Sequence, residues 1–136
     1  MNEEQSKRLS DAADSVLQAT DALDEARDAV NDKRFDSETE RDRSTAATQM
    51  SNRLDSAGKR IEEAVRKAAV AAASLARAGA YAQYREAITA AREGRSQGRG
   101  ATDQDGSANK RSAGQEALGR LEAALAIAAA LVFPAE

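Results

Sequence analysis

The sequence predicts an all-α protein: a long antiparallel helical hairpin with a coiled-coil-like, alanine-rich seam, followed by a C-terminal helix that folds back on it. Three observations carry this. Of 136 residues 33 are alanine and one is proline, so the best helix former is abundant and the strongest helix breaker nearly missing. Between Ala47 and Ala82 a seven-residue spacing runs through Ala47, Leu54, Ile61, Ala68, Leu75 and Ala82, and a second through Met50, Ala57, Ala64, Ala71 and Ala78. The two interlock in steps of three and four, the spacing of a helix that lays one narrow seam against a partner. Large side chains are scarce, with two Phe, two Tyr and no Trp, so contact area has to come from closely approaching backbones.

The elements follow in order within one domain. From Asn2 to Lys33, Leu9, Val16, Leu23 and Val30 alternate with Ala12, Ala19 and Ala26, which predicts an amphipathic helix about 46 Å long. Asn2 with Gln5 supplies its cap. The periodicity lapses over Asn31–Asp36, and Ser37-Glu-Thr-Glu40 then reads as a capping box that opens a second helix over 37–93. Unbroken, that helix would reach about 84 Å. Gly94, Gly98, Gly100 and Gly106 among polar residues predict a loop over 94–111. Ser112-Ala-Gly-Gln115 reads as a second capping box, and Leu118, Leu121, Leu125, Ala128 and Val132 place a third helix over 112–132, ended by Pro134.

Composition excludes several kinds of chemistry. Neither Cys nor His occurs, which removes disulfides, thiolate metal sites and the commonest general base near neutral pH. Asp103-Gln-Asp105-Gly106 opens like a calcium loop, but its twelfth position would be Gly114 rather than a carboxylate. No metal, cofactor or small-molecule substrate is expected, and no set of nucleophile, base and oxyanion donor can be assigned, so an enzyme is the least expected class. The longest apolar run, 123–133, has 11 residues, short of the ~20 that span a bilayer. With no signal-like N-terminus, synthesis in the cytoplasm is expected, with residence in an assembled particle or secretion without a cleaved signal both left open.

Charge is unevenly spread. Residues 1–40 hold 12 acids against 5 bases, and 41–100 hold 6 acids against 12 bases. The first helix is therefore expected to pair with Lys59, Arg60, Arg66 and Lys67 of the second.

On a rod only two helices thick, a seam cannot be shielded from water on all sides. The residues expected to meet copies of the chain or another protein are Leu54, Ile61 and Leu75 on the seam, Tyr81, Tyr84 and Ile88 beyond it, and Leu125, Leu131 and Phe133 at the docking end. Arg95 and Arg99, in the expected loop, are the candidates for a weaker alternative, contact with nucleic-acid phosphates.

In general build this Ala-rich hairpin resembles the secreted helical-hairpin proteins of type VII systems. Those carry a Trp-x-Gly turn and a C-terminal Tyr-x-x-x-Asp/Glu signal. Here Asn31–Asp36 contains neither Trp nor Gly, and neither Tyr81 nor Tyr84 has an acid four residues on. The composition is equally similar to that of small helical accessory proteins of bacteriophage particles. The leading expectation is thus a non-enzymatic structural or assembly protein, a homo-oligomerising subunit of a larger particle such as a virion component or scaffold. The alternative is a helical binding module that sequesters one protein partner.

Overall fold

In the computed structural model, which describes residues 1–134, the chain is all-α and forms four helices. They are α1 (Glu3–Val30), α2 (Glu40–Ser74), α3 (Ala80–Gly100) and α4 (Ser107–Val132), with short 3₁₀ turns at Lys33–Asp36 and Ala101–Asp103. The helices run up, down, up and down. Among the described residues α2 touches each of the other three, α4 also touches α1 and α3, and α1 and α3 do not meet. The section is a rhombus whose short diagonal joins α2 to α4.

Asn2 and Gln5 form the expected capping box, the Asn2 side chain accepting from the Gln5 amide at 2.8 Å and the Gln5 side chain accepting from the Asn2 amide at 2.9 Å. Val16, Leu23 and Val30 are buried with Ala12, Ala19 and Ala26. The cap of α2 differs from the expected one. Thr39 is the N-cap, while Ser37 accepts from the Thr39 amide at 3.2 Å and donates to the Asp42 carboxylate at 3.0 Å. Ser112 is not a cap either, because α4 begins at Ser107.

The second helix is not one long rod. It ends at Ser74 in a Schellman turn: the Ala76 amide donates to the Ala73 carbonyl and the Arg77 amide to the Ala72 carbonyl, both at 3.0 Å. Such a turn needs a left-handed residue, and Ala76 takes that conformation with φ 53°. Gly79, with φ 77°, then starts α3. The heptad seam holds as far as Ala71, and Ala78 and Ala82 fall on exposed positions beyond the break. α2, at 35 residues, is about 52 Å long instead of about 84 Å.

The expected loop over 94–111 is mostly helix, since α3 continues to Gly100 and α4 starts at Ser107. Gly94 and Gly98 in this stretch, like Gly58 on α2 and Gly114 on α4, are contact points, whereas Gly100 and Gly106 face open space. A Cβ on Gly98 would lie 2.7 Å from the Leu54 Cβ, one on Gly58 2.8 Å from the Arg95 Cβ, and one on Gly94 2.9 Å from Leu121. Gly114 lies directly against the Met50 thioether, which lets α4 close on α2 across the short diagonal. Of the 31 buried apolar residues among those described, 17 are alanine, so most of the core is gained through close approach rather than bulk.

One end of the bundle is sealed. Phe35, in the 3₁₀ turn after α1, is buried, its carbonyl accepts from the Ser107 hydroxyl at 3.1 Å, and Arg111 donates to the Val30 carbonyl at 3.1 Å. At the other end Gln5 donates to the Ser74 carbonyl at 2.8 Å and Arg77 donates to the Leu131 carbonyl, tying α1 to α2 and the α2–α3 turn to α4. No helix among the described residues is long and apolar enough to cross a membrane.

Candidate functional site

The residues expected to form a self-association seam part company in the fold. Leu54 and Ile61 are wholly enclosed, and Ile88, Leu125 and Leu131 are buried as well. They are core residues of a single chain. The expectation that copies are needed to cover them fails because the break at Leu75 folds α3 and α4 over the same seam. Leu75 and Tyr84 are half-buried, whereas Tyr81 and Phe133 are exposed.

Tyr81 and Tyr84 belong to a largely apolar groove, a depression of about 450 Å³ at the α2–α3 corner. α2 supplies Arg66, Ala69, Val70 and Ala73, and α3 supplies Ala80, Tyr81 and Tyr84. The reason lies in the turn. After the Schellman motif α3 packs Ala80 and its Ala87, Ile88 and Ala91 stripe inward, which leaves Tyr81 exposed and Tyr84 half-buried beside α2. Val70 is 54 % exposed and Tyr81 72 % exposed, high for side chains of their size. A smaller depression of about 260 Å³, lined by Arg8, Asp11, Arg66, Lys67 and Val70, continues the groove across α2 towards α1.

The groove's rim is basic. The Arg85 guanidinium lies 5.9 Å from the centroid of the Tyr81 ring, within reach of a cation–π contact. Arg66 leans towards Glu62 at 3.5 Å and Lys67 towards Glu63 at 3.3 Å, both from exposed positions. Val70 was not singled out from the sequence. It lies beside the seam residues Ala68 and Ala71, and only the turn reveals that no helix covers it.

A second cluster, midway along α2 and α3, has a structural role. Glu62 is buried, and its carboxylate accepts from Arg95 at 3.0 Å and from Arg92 at 3.4 Å. Asp55 accepts from Arg95 at 2.8 Å and from Arg99 at 3.4 Å. Burial pushes the Asp55 carboxyl up, but hydrogen bonds and charge from Arg95, and then Lys59, outweigh it and hold the group below its usual value. Hydrogen bonds to Asp55 and Glu62 raise Arg95 in turn. Arg95 and Arg99, the expected phosphate contacts, are therefore engaged by carboxylates on α2. At the turn after α1, hydrogen bonds from the Arg34 side chain and amide hold Asp32 below its usual value.

The expected pairing of α1 with the basic run of α2 is largely replaced. Lys59 pairs with Asp55, Arg66 with Glu62 and Lys67 with Glu63, all within α2. Between α1 and α2 there remain Arg53–Glu25 at 3.2 Å and a hydrogen bond from Arg60 to Gln18 at 3.4 Å. Heptad positions decide which residues touch, but i,i+4 neighbours on one helix meet without any docking and compete for each charge. Among the described residues no three Asp or Glu converge closely enough to hold a metal ion.

Compared with known protein families, curated proteins and solved structures, the chain matches none.

Proposed function

We propose that the chain is a non-enzymatic helical docking module that engages a protein through the α2–α3 corner groove. The observation that carries this reading is the concentration of Val70, Ala73, Tyr81 and Tyr84 in one depression with Arg66 at its edge, where two of the exposed large apolar side chains, Val70 and Tyr81, stand together. Solvated apolar patches of this kind cost free energy that burial by a partner recovers. A patch with two tyrosines and a flanking arginine also has the composition of an interaction hot spot.

The test places a photoreactive phenylalanine at Tyr84 in the full chain, identifies the cross-linked protein by mass spectrometry, and rebuilds the complex from purified components. Val70→Glu is expected to weaken that complex by roughly tenfold or more, with the helix content of the chain unchanged. Equal binding by Val70→Glu would sink the reading.

A structural role within a larger assembly, such as a virion component or scaffold, is the second reading. It no longer rests on an open seam. Its support is the solvated acidic face of α1, which complements the basic rim of the groove.

A further inference from the structure

We propose that the occupant of the corner groove is the outward face of α1 from a second copy of this chain, so that copies join head to tail. This rests on the docking reading above and names its partner.

The outward face of α1 carries Ser10, Asp14, Leu17, Asp21 and Asp24 at steps of three and four, all exposed. They line the side of the helix opposite the buried Ala12, Ala19 and Ala26. Leu17 is the one large apolar side chain on that stripe and is 59 % exposed. Asp14 and Asp21 bracket it by about 5–6 Å along the axis. Neither forms an ion pair among the described residues, and neither does Asp11 or Asp28.

The groove is the counterpart of this stripe. It offers an apolar floor at Val70 and Tyr84 for one leucine; Arg66, on its α2 side and 3.5 Å from Glu62, and Arg85, against the outer Tyr81 ring on α3, are the cations nearest the two flanking carboxylates. Arg85 forms no ion pair among the described residues. An amphipathic helix laying an apolar anchor into a groove is a recurring recognition mode, and complementary charge fixes its register.

The two surfaces cannot meet within one chain. Leu17 points away from the bundle, and α1 and α3 make no contact among the described residues. Because donor and acceptor are different patches, the contact is heterologous: every pair keeps one free groove and one free α1 face, and assembly extends into rings or open chains. One helix face over a shallow groove covers less than the ~1,200–2,000 Å² of a stable interface. Association is therefore weak, concentration-dependent and weakened by salt.

The experiment is sedimentation velocity of the full chain from micromolar to millimolar concentration, at low and high salt, with two variants whose altered residues are exposed. Leu17→Ser disables the donor stripe and Val70→Asp disables the groove, and circular dichroism checks that both fold. The wild type is expected to grow in mass with concentration. Each variant alone should need roughly tenfold more protein to associate. A mixture of the two should form a one-to-one dimer and stop there, because one copy retains an intact groove and the other an intact α1. A wild type that stays at 14.4 kDa throughout, assembly that ignores Leu17→Ser, or a mixture that does not associate would each overturn the inference. If the wild type stays monomeric while the purified partner cross-linked at Tyr84 still binds and still loses affinity with Val70→Glu, the docking reading stands and only the identity of the occupant falls.

Discussion

Leu54 and Val70 lie on the same face-patterned helix and meet opposite environments. Around Leu54 three helices converge, glycine at position 98 lets α3 close onto its Cβ, and the side chain is fully buried. Val70 lies one turn before the end of α2, on a side that the neighbouring helices leave open, and more than half the side chain is solvated. The middle of the bundle spends its small residues on close approach, and the corner spends its large ones on an open groove. The comparison separates residues that hold the fold from residues free to bind. Hydrophobicity alone does not distinguish the two groups.

The largest test of this contrast is truncation. Leu54→Ala should cost about 2–5 kcal/mol of stability, as buried Leu-to-Ala changes do, whereas Val70→Ala should stay within about 0.5 kcal/mol. Chemical denaturation of both measures the difference directly, and similar losses would erase the distinction between the two regions.

Next comes the ionic cluster beside Leu54. Glu62→Ala leaves Arg95 with one fewer carboxylate and should cost about 1.5–3 kcal/mol. The same cluster sets an acid limit. Because Asp55 is held below its usual value of 3.8, its contribution is fully present above that value and is lost as pH falls through the lower, folded-state value. The melting temperature should therefore drop below about pH 4, and Asp55→Asn should flatten part of that drop.

The smallest effects come from paired glycines. Gly119, with nothing within 4 Å of an added Cβ, should gain about 0.4–1 kcal/mol on change to Ala. Gly98→Ala should instead lose about 1 kcal/mol or more, because its Cβ would collide with that of Leu54. Opposite signs in thermal melts are the expected outcome.

Much of the fold was legible in the residues. The α1 stripe, the α2 seam through Ala71 and the leucines of α4 are buried as their spacing predicts. The glycine-rich stretch misled because glycine is a poor helix former in isolation. A sharper signal was present: Gly94, Gly98 and Ala101 continue the three-and-four spacing of Ala87 and Ala91, and all are buried. The break at Leu75 was hidden for the opposite reason, since its left-handed residue is Ala76 and not a glycine. Of the candidate groove, Tyr81 and Tyr84 stood out in the sequence and Arg66 was expected to face α1, but Val70 and Arg85 carried no signal.

By itself the sequence determined the helical class, the apolar face of each long helix and the alanine-based closeness of their packing, because propensity and periodicity act over a few neighbouring residues. Only the tertiary structure decided where α2 ends, that four helices and not two share the seam, and which apolar residues remain outside. Those outcomes depend on contacts between segments distant in the chain. The Arg77 side chain bonded to the Leu131 carbonyl and Gly114 seated against Met50 are such contacts, and no local pattern contains them.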